Sequence, residues 1–226
     1  MRVFNIGSLN IDHVYRVASI ARPGETLASS SYCRFPGGKG ANQTAALARA
    51  GAAVQHVGCL GPEGVWLRDR LASEGANVDH VRILDVPGGH AVIQVEDSGQ
   101  NSIVIFGGAN QAIQADHVAA ALATATPGDV LLLQNETNGI PAWIQAGNRA
   151  GMRVVLNPAP MTPAVLGYPL DKVSLLIVNE HEGAALADGA QDADGILRAL
   201  AARLPGTDVC LTRSEEHTSE LQSPNT

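Results

Sequence analysis

Apolar and polar residues alternate with a period of two in several segments of the first half of the chain. Residues 9–17 alternate in this way, and two apolar runs at 90–96 and 101–106 flank a turn at 97–100. Alternation of this kind is typical of strands with one exposed face, and the second pair of runs predicts a β-hairpin. Together with residues 28–35, these segments predict a small sheet that stands away from the main body.

Short apolar runs alternate with helical segments along the rest of the chain. Buried strands are predicted at 2–6, 54–57, 130–134, 153–156, 175–178 and 208–212. Helices are predicted at 41–50, 65–74, 140–150, 180–186 and 192–204, and another ends near residue 124. Strands that alternate with helices form a parallel sheet covered on both faces. The predicted fold class is therefore α/β, with a mostly parallel sheet sandwiched by helices.

A glycine-rich stretch, Phe35-Pro36-Gly37-Gly38-Lys39-Gly40-Ala41-Asn42-Gln43, joins a strand-like run to an alanine-rich helix. Glycines let the backbone approach a ligand closely, and the N–H groups that begin a helix point toward the same place. Lys39 adds a charged donor and Asn42 adds an amide. The stretch therefore predicts a site for a small hydroxyl-rich or anionic molecule. The alternative is a helix N-terminus capped by its own loop, with Lys39 solvated.

Two nucleotide-binding motifs can be tested against the glycine spacing. A Walker phosphate loop needs a glycine five positions before Gly38 and a Ser or Thr after Lys39, and the sequence has neither. The glycines at 58, 61 and 64 follow a strand, but their spacing is not that of a dinucleotide fingerprint. We interpret the segment 58–64 as a turn.

Polar residues collect near the predicted strand ends. Asn10 and Asp12 lie two positions apart, so in an extended segment both side chains project from one face. There they could hold the hydroxyls of a sugar. The alternative is that they form a turn that closes the strand. Glu136, Asn179 and Thr212 follow or end later strands. Ligands bind beyond the carboxyl ends of parallel strands. Asn179 and Glu182, three apart at a helix start, would suit a hydrated Mg²⁺.

Composition excludes several classes of function. The formal charge of −7 argues against a nucleic acid or an anionic membrane as partner, since both reward a basic surface. The three cysteines are scattered and lack metal-ligand spacing, so we interpret them as reduced thiols of a cytoplasmic protein. We expect no signal peptide, because a charged residue follows the first strand closely, and no apolar run is long enough to span a bilayer.

The ordered segments GSLNID, PGGKGAN, QNE, NPAP, NEHE and LT resemble the ribokinase branch of the PfkB-type carbohydrate kinase family, over residues 2–212. The resemblance implies a ribokinase-like fold with a protruding β-sheet lid, here from about 12–35 and 88–107. It implies transfer of the ATP γ-phosphate to the 5-hydroxyl of D-ribose, with Mg²⁺, and leaves open a monovalent cation such as K⁺. It also implies a homodimer formed through the lid. The alternative substrate is another sugar or a nucleoside.

The same resemblance implies roles for individual residues. The sugar-binding residues would be Asn10, Asp12, Gly38, Lys39, Asn42 and Glu136. Asn179 and Thr212 would contact ATP, and Glu182 would organise the magnesium ion.

The sequence departs from the family pattern in two places. The turn at 61–64 is shorter than the family's G-x-D-x-x-G, and the later D-T-x-G-A-G-D segment, which supplies the catalytic base and the anion hole, has no counterpart. Residues 213–226 break the βα pattern and look like a translated sequencing adapter. We therefore expect a truncated domain at 1–212 with a non-native or disordered tail at 213–226. We expect that it contains no catalytic residue, folds poorly alone and is inactive, a sugar-binding fragment at most.

Overall fold

The computed structural model describes residues 1–190 and 192–212, so the predicted tail at 213–226 lies outside it. The strands are β1 (Val3–Ile6), β2 (Asn10–Val17), β3 (Ser31–Gly37), β4 (Val54–Leu60), β5 (Asn77–Ile83), β6 (Gly89–Glu96), β7 (Asn101–Phe106), β8 (Val130–Gln134), β9 (Arg153–Asn157), β10 (Leu175–Asn179) and β11 (Asp208–Thr212). The α-helices are α1 (Lys39–Arg49), α2 (Val65–Ser73), α3 (Ala115–Leu122), α4 (Ile140–Arg149), α5 (Glu180–Leu186) and α6 (Ala193–Arg203).

Seven strands form one parallel sheet in the order β11-β10-β9-β8-β1-β4-β5. The parallel sheet predicted from the alternating pattern is thus confirmed. Strand β5 was not predicted, because its apolar residues do not alternate strictly and its pairing with β4 shifts register between Gln55 and Val57. The predicted turn at 58–64 is partly wrong, since Gly58 lies inside β4.

Helices cover the sheet from two sides, and alternate residues of each strand face different helices. Phe4 and Ile6 pack in a core with buried residues of α3 to α6, such as Ile144. Val3 packs in a second core, with Leu67 of α2 and with α1. Beside α1 this second face carries an open apolar groove of about 560 Å³ lined by residues of β1, β8, β9 and β10. No helix among the described residues is long and apolar enough to cross a bilayer.

The other four strands form a small mixed sheet in the order β3-β2-β6-β7, which we call the lid sheet. Strands β2 and β3 are antiparallel, β2 and β6 are parallel, and β6 and β7 form the predicted hairpin. Strand β7 leaves four large apolar side chains between 48% and 67% exposed, namely Ile103, Val104, Ile105 and Phe106. The predicted small sheet beside the large one is therefore confirmed, and one of its edges is apolar.

A buried polar network lies between α1 and the sheet. The Asn5 amide donates to the Thr44 hydroxyl over 2.8 Å, and that hydroxyl lies 2.7 Å from Nδ1 of His56. The Thr44 hydroxyl thus joins the Asn5 amide to the His56 ring. Burial lowers the pKa of His56 to about 4 and outweighs the opposing effect of the Gly7 backbone. His56 therefore stays neutral in the folded protein.

We expect His56 to make the fold less stable in acid. The pKa of His56 is about 4 in the folded chain and 6.5 in the unfolded chain. As the pH falls from 6.5 to 4, His56 is therefore protonated in the unfolded chain but stays neutral in the folded one. This linkage should remove on the order of 3 kcal/mol of unfolding free energy across that window. Urea unfolding at pH 7, 6, 5 and 4 would measure it. In His56→Gln, the free energy of unfolding should depend less steeply on pH. His181→Gln, at an exposed position, is the control. An unchanged pH dependence in His56→Gln would contradict the assignment.

Candidate active site

The glycine-rich stretch brings the start of α1 directly against the connection between β1 and β2. A Cβ on Gly40 would lie 2.4 Å from the backbone nitrogen of Ser8 and 2.5 Å from Cα of Gly7, so no larger residue fits there. Gly38 has a φ of 90°, in the region that favours glycine. These two positions explain why glycines are needed where the helix begins.

Glu136, just beyond β8, holds the first turn of α1. Its carboxylate accepts hydrogen bonds from the Lys39 backbone N–H at 2.8 Å, the Lys39 ammonium at 2.7 Å and the Ser8 hydroxyl at 2.5 Å. The Glu136 side chain is 7% exposed, whereas that of Lys39 is 39% exposed. An anionic side chain at a helix N-terminus is electrostatically favourable. The cluster of Ser8, Lys39 and Glu136 is thus a connected polar site.

This geometry corrects two expectations from the sequence. The first N–H groups of α1 were expected to point at a ligand, but they bind the protein itself: Lys39 donates to Glu136, Gly40 to the Ser8 hydroxyl at 3.2 Å, and Ala41 to the Ser8 carbonyl at 2.8 Å. The alternative of a solvated Lys39 is also wrong, because its ammonium is paired. Neither correction could be predicted from local sequence, since Glu136 lies 97 residues from Lys39.

Asp12 on β2 belongs to the same electrostatic cluster. Its carboxylate oxygens lie 2.2 and 2.3 Å from the place where a Cβ of Gly37 would be, so the glycine makes room for it. Burial raises the pKa of Asp12, the negative charge of Glu136 raises it further, and the positive charge of Lys39 lowers it. Two carboxylates and one ammonium therefore lie close enough to influence one another.

A pocket of about 210 Å³ opens between the lid sheet and the main body. Its lining includes four amides, one carboxylate and one large apolar side chain of the lid sheet, from Asn10, Asn110, Gln111, Asn135, Glu136 and Ile105. Gln111 donates to the Glu136 carbonyl at 2.9 Å, and Asn110 donates to the Asn10 Oδ1 at 2.7 Å. Asn110 and Gln111 were not predicted from the sequence; a polar pair directly after the second hairpin strand was the only available signal.

The structure places Asn42 in a different groove. Asn42 is exposed, one turn into α1, and lines a groove between α1 and α2 together with Pro36, Leu67 and Arg70. Of the predicted sugar-binding residues, the structure brings together Asn10, Asp12, Gly38, Lys39 and Glu136. Asn42 is joined to this group by the hydrogen bond that its backbone N–H donates to the Gly38 carbonyl at 3.0 Å.

Asn179 and Thr212 end neighbouring strands at the same edge of the large sheet. They are partners in the register of β10 and β11, and the Thr212 hydroxyl donates to the Val178 carbonyl at 3.3 Å. Farther along this edge, Asn157 is the register partner of Gln134. The predicted row of polar strand ends is therefore present.

Asn179 and Glu182 form a capping box at the start of α5. The Glu182 N–H donates to Asn179 Oδ1 at 2.8 Å, and the Asn179 N–H donates to Glu182 Oε2 at 3.0 Å. This reciprocal pair accounts for the Asn-x-x-Glu spacing without a metal. Within residues 1–190 and 192–212 no group of three or more His, Cys, Asp or Glu could hold a metal ion. The pair therefore fits a Mg²⁺ ion only through intervening water, the manner in which Mg²⁺ keeps much of its hydration shell.

Comparisons with known proteins give one consistent family. Residues 2–218 match the model of the pfkB family carbohydrate kinases. A ribokinase of Haemophilus influenzae is 37% identical over 194 residues, which are 84% of this chain and 63% of that protein. A ribokinase of Schizosaccharomyces pombe is 33% identical, over 82% of this chain and 61% of that protein. The chain thus spans less than two thirds of the length of these relatives.

Solved structures give the same result. Ribokinase from Cryptococcus neoformans in complex with ADP superposes with a TM-score of 0.75 at 36% identity, over 94% of this chain and 72% of that one. Arabidopsis thaliana ribokinase in complex with ribose and ATP superposes with a TM-score of 0.81 at 30% identity, with the same coverage. The fold is therefore ribokinase-like, and the chain belongs to the pfkB family of carbohydrate kinases.

Proposed function

We propose that the protein is an ATP-dependent sugar kinase that transfers the γ-phosphate of ATP to the 5-hydroxyl of D-ribose. The observation that carries this proposal is the cluster of Asp12, Lys39 and Glu136 beside a small pocket, beneath the lid sheet, that is lined in part by amides. The ribokinases of Haemophilus influenzae and Schizosaccharomyces pombe, at 37% and 33% identity, support ribose as the acceptor.

The pocket and the charged cluster beside it together supply the groups that a hydroxyl-rich molecule needs. The Asp12 carboxylate can accept from two hydroxyls, while the partly exposed Lys39 ammonium can donate to a sugar oxygen. Ile105 of β7 contributes an apolar wall from the lid side. A pocket of about 210 Å³ that carries amide and carboxylate groups on an otherwise apolar lining suits a monosaccharide better than a larger ligand.

The nucleotide would lie along the edge formed by the ends of β10 and β11. Asn179 and Thr212 are adjacent there, so their side chains can contact the phosphates and the nucleoside side of ATP. Bound Mg²⁺ would neutralise phosphate charge, and Glu182 with Asn179 would orient its water shell. A monovalent cation such as K⁺ remains part of the proposal only through the family resemblance.

The lid sheet would contribute to both catalysis and assembly. We propose that residues 1–212 form one domain, whose lid sheet excludes water from the sugar and forms the contact of a homodimer. The exposed apolar side chains of β7 support such a contact, since large exposed apolar patches mark interaction surfaces. The free cysteines Cys33, Cys59 and Cys210 are consistent with the reducing cytoplasm that we propose as its location.

Calorimetric titration of residues 1–226 with D-ribose, D-fructose and inosine tests the substrate. We expect D-ribose to bind with the lowest Kd, because the pocket is small and carries several amide groups and one carboxylate. Binding of inosine without binding of D-ribose would overturn the assignment. Whether residues 1–226 are inactive as a kinase stays a prediction, and ADP release measured in the same samples tests it.

Replacing Glu182 should weaken the binding of Mg-ATP and leave ribose binding unchanged. Glu182→Ala removes the carboxylate that we propose for the magnesium shell, so the Kd for Mg-ATP should rise about tenfold. It also removes half of a capping box, which should lower stability by about 1 kcal/mol. Titration with a fluorescent ATP analogue at limiting Mg²⁺ would measure the first effect.

A second capped helix provides the control for Glu182. Asp192 caps α6 by accepting from the Gly195 N–H at 2.8 Å, so Asp192→Ala removes a helix cap without touching the proposed nucleotide edge. If both variants bound Mg-ATP with the same affinity, Glu182 would be a helix cap and nothing more.

A further inference from the structure

Asn110 lies at the base of the lid sheet, four residues after β7 ends. Its side chain is 1% exposed and bonds to the neighbouring strand β2. The Leu9 N–H donates to Asn110 Oδ1 at 3.0 Å, while Asn110 Nδ2 donates to the Leu9 carbonyl at 3.3 Å and to Asn10 Oδ1 at 2.7 Å. Every polar atom of this side chain is therefore used inside the protein.

These bonds fix which end of the Asn10 amide faces the pocket. A backbone N–H can only donate, so the atom of Asn110 that faces Leu9 N must be its oxygen. Asn110 then presents its NH₂ group to Asn10, and the Asn10 atom that meets it must be Oδ1. The NH₂ group of Asn10 is left on the other side of the amide, and Asn10 is one of the residues that line the pocket.

Gly89, the first residue of β6, leaves the space for this bond. A Cβ at Gly89 would lie 2.1 Å from Asn110 Nδ2 and 2.3 Å from Asn10 Oδ1, so any larger residue would displace the two bonded atoms. Residue 9 directly precedes β2, residue 10 begins it, residue 89 begins β6 and residue 110 follows β7. The bond therefore lies where three strands of the lid sheet leave the main body.

We propose that Asn110 is a positioning residue for sugar specificity: it holds the Asn10 amide with its NH₂ group toward the pocket, as a donor to one sugar hydroxyl. This inference rests on the proposed function, since it assigns Asn10 to the sugar. The carboxylates of Asp12 and Glu136 would then accept hydrogen bonds from the sugar hydroxyls, and the Asn10 amide would donate one from a fixed position. A site that presents both kinds of group in fixed positions rejects sugars that lack the matching hydroxyl.

Asn110→Asp tests the proposal with a nearly isosteric change. An aspartate still accepts from Leu9 N–H but offers only oxygen to Asn10 and to the Leu9 carbonyl, so the longer bond to Leu9 is lost and the Asn10 amide must turn its NH₂ group toward residue 110. It would then present an oxygen to the sugar in place of a donor. We expect the Kd for D-ribose to rise about ten- to a hundred-fold in calorimetric titration, with the Kd for Mg-ATP unchanged.

Asn138→Asp is the matched control. Asn138 bonds in the same way to the backbone of Ile113, with its Oδ1 accepting at 3.1 Å and its Nδ2 donating at 2.9 Å, away from Asn10. Its Kd for D-ribose should equal that of the wild type. If Asn110→Asp does not fold, Gly89→Ala disturbs the same bond from the other side and should weaken ribose binding to a similar degree.

A double-mutant cycle separates positioning from general disturbance. If Asn110 acts through Asn10, then adding Asn110→Asp to Asn10→Ala should change the Kd for D-ribose by less than twofold. The inference is overturned if Asn110→Asp binds D-ribose like the wild type, or if it weakens binding equally with and without Asn10. A wild-type chain that binds no D-ribose would contradict the proposed function itself, before any variant is compared.

Discussion

Replacing Asp12 with asparagine should raise the Kd for D-ribose by about 30- to 1,000-fold, which corresponds to about 2–4 kcal/mol. The shape of the side chain is nearly kept, but one acceptor oxygen becomes a donor and the negative charge is lost. The loss should be large because Asp12 is partly buried, where a charge-assisted hydrogen bond is screened less by water. Calorimetric titration of the variant measures the effect.

Acid should weaken ribose binding through the same carboxylate. Burial raises the pKa of Asp12 above the usual 3.8, and the neighbouring charge of Glu136 adds to this effect. Because the ionised form accepts hydrogen bonds from the sugar, affinity should fall as the pH drops through this raised pKa. Asp97→Asn, in the exposed turn at the far end of the lid hairpin, is the control. Wild-type affinity in Asp12→Asn would remove Asp12 from the sugar site.

Most elements of the large sheet could be predicted because their signals are local. Strands β8 and β11 and helix α5 begin and end at the predicted residues, since each is a short apolar or amphipathic run between clear breaks. Strand β5 was missed because its register with β4 is irregular and its apolar positions are not evenly spaced. Periodicity predicts an element only where the pairing itself is regular.

Most residues of the candidate site could be predicted from the sequence, but the hydrogen bonds between them could not. Asn10, Asp12, Lys39 and Glu136 could be named from motifs, and the structure brings them together. Their bonds could not be named, because the partners are distant in sequence: Ser8 and Glu136 are 128 residues apart, and Leu9 and Asn110 are 101 apart. The capping box of Asn179 and Glu182 is the opposite case, since an Asn-x-x-Glu spacing before a helix is a local signal.

Replacing Glu136 with alanine should damage both the fold and the sugar site. Three donors lose their acceptor at once: the Lys39 N–H, the Lys39 ammonium and the Ser8 hydroxyl. Unpaired donors in a partly buried site are costly, although the exposed part of Lys39 can return to water. We expect the free energy of unfolding to fall by about 2–3 kcal/mol, and the Kd for D-ribose to rise about a hundred-fold or more.

Two comparisons separate the structural and the binding roles of Glu136. Glu136→Gln keeps one acceptor oxygen for the start of α1, so it should recover about half of the lost stability while ribose binding stays weak without the charge. Glu25→Gln, on an exposed loop, controls for the loss of a negative charge. Urea unfolding and calorimetric titration of all three variants give the two quantities independently. If Glu136→Ala were less stable but its folded fraction bound D-ribose like the wild type, Glu136 would only cap α1. If the variant lost ribose binding and kept its stability, the Lys39 and Ser8 contacts would contribute nothing to the fold.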